Sequence, residues 1–164
     1  MNALNFKTNL LPFDQFWGLP LTMGQLGSGD GSQPFTTIKD YENWLKRLDK
    51  FAVWADTAIV NFRKGMLEEQ VLPKALVVKM IPQMEDFVVD DPTKSLFYGP
   101  IDKLPESFSE SDKIKLTGMY KKTIREKVIP TYKKLHDFLK NEYIYIELEP
   151  LRELPVFRME TSII

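Results

Sequence analysis

The segment TIKDYENWLKRLDKFAVWADTAIVNFRKGM, residues 37–66, decides the fold of this chain. Its apolar residues recur at alternating spacings of three and four, which places them on one face of a continuous α-helix. This stripe consists of Ile38, Tyr41, Leu45, Leu48, Ala52, Ala55, Ile59, Phe62 and Met66. Thr37 is the expected N-cap, and Asp40 lies in the first turn, where a carboxylate is favoured by the helix dipole. Gly65 marks the expected end of the helix, because glycine weakens a helix interior.

Three further aromatic residues lie off the stripe and widen the apolar surface, so the helix should pack against more than one neighbour. They are Trp44, Phe51 and Trp54. A second helix is expected to begin near Pro73 and to bend at Pro82. A third is expected from the N-cap Ser109 to about Asn141, with a kink at Pro130. The sequence therefore predicts an all-α fold of three long helices, two of them kinked, with irregular aromatic-rich loops.

Upstream of the first helix, residues 10–34 contain eight glycines and prolines, which exclude a continuous helix. The segment is also rich in Phe, Trp, Leu and Met, so we expect an ordered, irregular stretch lying across the core. Its most suggestive string is the glycine loop Gly27, Ser28, Gly29, Asp30 and Gly31. Closely spaced glycines let backbone N–H groups converge on an anion or a substrate backbone. However, the Lys and Ser/Thr that a phosphate loop requires after its last glycine are missing, and Gln33-Pro34 follows the string Gly27–Ser32. A structural turn is the main interpretation, and a cleft-lining loop is the alternative.

Composition excludes several classes of function. The 22 Lys and Arg residues nearly balance 23 Asp and Glu, so no excess of positive charge attracts nucleic acid. The chain has no Cys, which removes disulfides, thiolate nucleophiles and cysteine-type zinc sites. Its single His, His136, has no second His or nucleophile tied to it by spacing, so a surface or packing role is expected. Any catalytic zinc site would need further ligands from elsewhere.

Three acidic pairs could act as acid and base or bind a cation. They are Glu68–Glu69, Glu85–Asp86 and Asp90–Asp91. Adjacent positions do not share a helix face, and their spacing does not match a calcium loop. Solvated helix faces and helix ends account for these pairs.

No signal peptide and no apolar run long enough for a membrane span is visible in the sequence. We therefore expect no membrane span, and a cytoplasmic location if the chain is expressed as given. The sequence does not predict the oligomeric state.

Eight strings in the chain are distinctive: GLPLTMGQLGSGDG at 18–31, QPF at 33–35, DY at 40–41, WADTAI at 54–59, LPK at 72–74, MIPQ at 80–83, LFYGP at 96–100 and VIPTYKKL at 128–135. Together they resemble a bacterial family called domain of unknown function 885. The resemblance implies a large, mostly helical, exported protein, periplasmic or lipoprotein-anchored. It also implies similarity to zinc metallopeptidases, through an H-E-x-x-H helix in which two His hold zinc and Glu activates water.

The chain departs from the family in two respects. It contains no H-E-x-x-H, so the resemblance assigns no catalytic, cofactor or metal residue here, and zinc is expected only in the intact protein. After about residue 143, family members continue with a stretch similar to R-T-T-S-G, which a neighbouring reading frame of residues 148–164 can encode. We therefore divide the chain into an irregular segment 1–36, a helical family region 37–143 and a tail 144–164 of frameshift character.

These observations favour a non-catalytic fragment of an exported zinc-metallopeptidase-like protein of unknown substrate, supplying helical scaffold near a peptide-binding cleft. The alternative is a helical protein-binding module that acts through an exposed apolar face. A self-contained hydrolase would need a site that the sequence does not supply.

Overall fold

The computed structural model describes residues 7–146 and shows an all-α fold, with no strand among those residues. The α-helices, in chain order, are α1 (Leu19–Gly27), α2 (Ile38–Leu67), α3 (Lys74–Glu85), α4 (Gly99–Asp102), α5 (Glu110–Thr123) and α6 (Ile129–Asn141). The predicted fold class is therefore confirmed. No helix within the described residues is long and apolar enough to span a membrane.

Helix α2 begins with a capping box, as its sequence predicts. The Thr37 hydroxyl accepts a hydrogen bond from the Asp40 N–H at 3.2 Å, and the Asp40 carboxylate accepts one from the Thr37 N–H at 2.9 Å. The carboxylate also accepts from the Thr36 N–H at 3.0 Å. These backbone hydrogen bonds, first from Thr37 and then from Thr36, lower the pKa of Asp40 below its usual value of 3.8.

The C-terminal end of α2 lies at Leu67, two residues beyond the predicted end at Gly65. Gly65 is a buried residue in the interior of the helix, and the backbone of two other residues passes close to it. A Cβ at this position would lie 2.6 Å from the Gln70 carbonyl oxygen and 3.0 Å from that of Leu10. The glycine therefore permits a close crossing, and it does not terminate the helix.

The two proline-containing helices differ in how they accommodate the proline. Pro82 lies inside α3, which continues past it to Glu85. Helices α5 and α6 are joined by a π-helical segment, Ile124–Val128, which ends immediately before α6, with Pro130 in the first turn of α6. A π turn thus lies on the N-terminal side of Pro130, where the sequence predicts a kink.

The segment expected to be irregular contains a helix. Helix α1 occupies nine residues within 10–34, with Pro20 in its first turn. A proline there removes only an N–H that has no partner within the helix, so it does not oppose helix formation. The prediction of an irregular structure across this stretch is wrong for Leu19–Gly27, although the glycine-rich residues after it do form a loop.

The core surrounds α2 and is dominated by aromatic side chains that are almost completely buried. These include Tyr41, Trp44, Phe51, Phe62, Phe97, Tyr120 and Tyr132. Helix α3 packs along α6, and α2 contacts α5, the π segment and α6. The phenol of Tyr132 donates a 2.6 Å hydrogen bond to the Pro20 carbonyl, which fixes the start of α1 on this core.

Candidate functional site

An apolar groove of about 400 Å³ lies between α1 and α2. We call it the α1–α2 groove. Its apolar lining consists of Leu19, Met23, Leu26, Trp44, Phe51 and Trp54, and its edge carries Thr22, Arg47 and Lys50. This volume lies toward the lower end of the range of small-ligand pockets, about 300–1,000 Å³. The groove can therefore hold a few apolar side chains or a small apolar ligand.

Each wall of the groove follows from a sequence pattern. On α1, Leu19, Met23 and Leu26 are spaced by four and three, so they share a helix face. On α2, the aromatic rings of Phe51 and Trp54 stack, with centroids 5.9 Å apart and planes inclined by 17°. The sequence predicted the wide aromatic face of α2, but it did not predict the facing helix.

A short turn before α1 displays two aromatic side chains to solvent. The Asp14 carboxylate accepts hydrogen bonds from the N–H groups of Phe16 at 2.7 Å and Trp17 at 2.9 Å. These bonds hold the turn, yet the side chains of Phe16 and Trp17 remain 63% and 77% exposed. Adjacent exposed aromatic side chains on an ordered turn are typical of an interaction surface. This turn leads directly into the groove residue Leu19.

Positive charge lines one edge of the groove. Arg47 and Lys50 lie at this edge. Together with Lys46 they are exposed on α2 and line a neighbouring hollow of about 240 Å³. The Arg47 guanidinium donates a 2.6 Å hydrogen bond to the Gln33 side-chain oxygen. Within residues 7–146, none of these three cations forms an ion pair with a carboxylate. This cluster was not among the predicted site residues, although the K-R-x-x-K spacing at 46–50 signals it.

The indole N–H of Trp44 is buried and has no hydrogen-bond acceptor among the described residues. A buried donor without a partner costs about 1–3 kcal/mol. Trp44 therefore contributes apolar surface to the groove at a cost in folding free energy.

The glycines of the predicted cleft-lining loop are explained by packing inside the chain. Gly27 is the last residue of α1, and a Cβ there would lie 2.6 Å from the Phe97 ring and 2.8 Å from the Trp44 ring. Gly29 has a φ of +82° and packs against Pro100. Glycine is thus required at one position by close approach and at the other by backbone conformation.

The other members of that loop also make local contacts. The Ser28 hydroxyl donates to the Gln25 carbonyl at 3.0 Å and accepts from the Asp30 N–H at 3.2 Å. The Asp30 carboxylate pairs with Lys103, and Gly31 is exposed. Gly27, Ser28, Gly29, Asp30 and Gly31 do not line the α1–α2 groove. Their role at a substrate cleft remains a prediction.

A second depression, of about 680 Å³, lies between α2 and α6 and is crossed by ion pairs. Asp56 pairs with Lys134 at 2.6 Å, and Arg63 holds Glu142 through two hydrogen bonds of 2.8 and 2.9 Å. The guanidinium lowers the pKa of Glu142 below its usual value. These ion pairs hold α6 and the residue that follows it against α2. Because the charges neutralise one another, they leave little free charge for a ligand.

His136 and the acidic pairs form no metal centre. The Nδ1 atom of His136 lies 3.0 Å from Asp137, and its Nε2 atom is buried without a partner. Glu68 pairs with Lys7, and Asp91 caps a short turn by accepting from the Thr93 N–H. Among residues 7–146, no three His, Asp or Glu side chains converge as metal ligands. The described residues therefore do not fit a zinc site.

The fold and groove define an all-helical domain with an aromatic groove and a cationic edge. Over residues 2–152, the chain matches the family model described as a bacterial protein of unknown function (DUF885). The chain belongs to this family, so the resemblance based on its sequence strings is confirmed. The match includes residues 144–152 of the segment interpreted as a tail, and most of that segment, 147–164, lies outside the described residues. Neither the curated proteins nor the solved structures include a match to the chain.

Proposed function

We propose that this chain is a non-catalytic helical scaffold that contributes the α1–α2 groove to a peptide-binding cleft of an exported, metallopeptidase-like protein. The observation that carries the proposal is the groove itself, whose floor is aromatic and whose approach is marked by exposed Phe16 and Trp17. Apolar concave surfaces with a few polar groups at the edge are typical of ligand sites.

In the intact protein, peptide binding and hydrolysis would be carried out by different parts. The described residues bind and orient a peptide, whereas hydrolysis would require zinc held by an H-E-x-x-H helix outside this sequence. Zinc there would polarise the peptide carbonyl and activate water. The purified 164-residue chain should therefore not hydrolyse fluorogenic peptides with added zinc. Zinc-dependent hydrolysis abolished by a chelator would overturn this division.

Peptide binding can be followed through tryptophan fluorescence, because the three tryptophans lie in the groove or on the turn before it. Titration with a short synthetic peptide rich in Leu and Phe should shift their emission. Leu26→Asp puts a charged carboxylate into the apolar lining of the groove and should weaken binding at least about tenfold. Its control is Leu67→Asp, at an exposed position at the end of α2, which should bind normally.

A second groove variant keeps the test valid if Leu26→Asp does not fold. Thr22 is exposed at the groove edge, so Thr22→Arg obstructs the groove without disturbing the core. Folding of every variant is checked by helical circular dichroism. Unchanged peptide binding in folded Thr22→Arg and Leu26→Asp would refute the groove as the peptide site.

The alternative function is a protein-binding module that uses the same apolar face. It is favoured by the Asp14 turn, which holds Phe16 and Trp17 outward instead of packing them in the core. In this case short peptides should not bind. Instead, a folded partner should form a stable 1:1 complex that Phe16→Ser with Trp17→Ser abolishes. Peptide binding that survives this double substitution would favour the scaffold function.

A further inference from the structure

We propose that the α1–α2 groove selects an acidic peptide segment, one that places apolar side chains in the groove and carboxylates against Lys46, Arg47 and Lys50. This inference rests on the proposed peptide-binding function and specifies the chemistry of the peptide. Its basis is the position of the cations: Arg47 and Lys50 line both the groove edge and the adjacent hollow, and Lys46 lines the hollow.

These cations differ from those that form ion pairs between distant parts of the chain. Lys7, Arg63, Lys103 and Lys134 each pair with a carboxylate from a distant part of the chain. Lys46, Arg47 and Lys50 have no such carboxylate within residues 7–146. Their charge is therefore available to an external partner, and it contributes to attraction more than to folding.

The arrangement on α2 favours an extended or helical peptide running along the helix. Lys46 and Lys50 are one helical turn apart, and Arg47 lies three residues before Lys50, so Lys50 has each of the other two cations as a neighbour on the helix surface. The hydrogen bond from Arg47 to Gln33 restrains the guanidinium, which lowers the entropy lost on pairing. Carboxylates spaced by about one helical turn beside apolar anchors would complement this surface.

Aromatic rings and cations together also suit single-stranded nucleic acid, in which bases stack on aromatic side chains. The net charge of −1 and the apolar lining of the groove favour the peptide instead. The test therefore includes a labelled oligothymidylate as a competing ligand.

The experiment compares three short peptides that share the same Leu and Phe positions but carry Glu, Gln or Lys between them. Tryptophan emission of the 164-residue chain gives each affinity. The Glu peptide should bind about fivefold more tightly than the Gln peptide and more tightly still than the Lys peptide. Added salt should reduce this preference, because exposed charge pairs are screened.

Charge reversal provides the matched control. The double variant Arg47→Glu with Lys50→Glu should invert the order, so that the Lys peptide binds best. Lys79→Glu with Lys115→Glu makes the same change of net charge at exposed positions on α3 and α5, and should leave the order intact.

The outcomes separate this inference from the function on which it rests. Equal affinities for the three peptides would overturn the acidic preference and keep the peptide-binding groove. A failure of all three to bind would overturn both proposals. Tighter binding of oligothymidylate than of the Glu peptide would overturn the inference in favour of nucleic acid.

Discussion

Gly27 and Gly118 both lie in helices, but the space around them differs. A Cβ at Gly27 would meet the rings of Phe97 and Trp44 at less than 3 Å, whereas nothing lies within 4 Å of one at Gly118. Gly27→Ala should therefore destabilise the fold by about 1–3 kcal/mol through overpacking. Gly118→Ala should stabilise it by about 0.5–1 kcal/mol, because alanine is the better helix former. Urea unfolding measures both changes.

The matched pair separates packing from helix propensity. If Gly27→Ala were stabilising by as much as Gly118→Ala, the close contact of α1 with the aromatic core would be refuted. This role of Gly27 could not be predicted from the local string 27–31. It depends on Phe97, which lies in a short 3-10 helix seventy positions further along the chain, and no local sequence pattern encodes that contact.

At the scale of the element, the capping box should be the main local support for the start of α2. Thr37→Ala removes the hydroxyl acceptor and should lower the free energy of unfolding by about 1 kcal/mol. Thr57→Ala, at an exposed position in the interior of the same helix, is the control and should be neutral or slightly stabilising. Equal losses in the two variants would contradict the capping role. Urea unfolding at neutral pH gives the comparison.

The contribution of Asp40 to this cap should depend on pH. Its pKa is lower in the folded protein, so the stabilisation is present above the unfolded value of 3.8 and is lost as the pH falls through the folded value. The difference in stability between the wild type and Asp40→Asn should therefore disappear at low pH. A difference that stays constant through acid would show that the carboxylate charge is not involved.

The helices were predictable where local signals agree with packing. Residues close in sequence determine the apolar stripe and N-cap of α2 and the Ser109 N-cap of α5. Both caps are present in the structure. Helix α1 was not predicted, because its proline and glycines are typical of loops. Pro20 is harmless in a first turn, and Gly24 and Gly27 are tolerated because aromatic rings fill the space where their side chains would lie. Tertiary packing thus stabilises α1, although its local sequence is unfavourable for a helix.

At the scale of the whole molecule, the site follows from how elements meet. The sequence predicted an apolar surface on α2 wider than one stripe, and Trp44, Phe51 and Trp54 do lie there. It could not predict a groove, since a groove needs the second wall that α1 supplies. The K-R-x-x-K spacing of the cations is visible in the sequence, but only the assembled fold shows that no carboxylate within residues 7–146 pairs with them.

The buried tyrosines make the whole fold sensitive to alkali. Burial raises the pKa of Tyr41 to about 12 and raises those of Tyr120, Tyr132 and Tyr143. In the unfolded chain these phenols ionise near their ordinary pKa of 10, so unfolding above that pH releases protons. Stability should be fully retained below pH 10 and should fall above it, by up to about 1.4 kcal/mol per pH unit for each tyrosine. Urea unfolding across this range measures the slope of the free energy of unfolding against pH. Tyr41→Phe should reduce this slope by the contribution of one proton. A slope unchanged by that substitution would contradict the burial of its phenol.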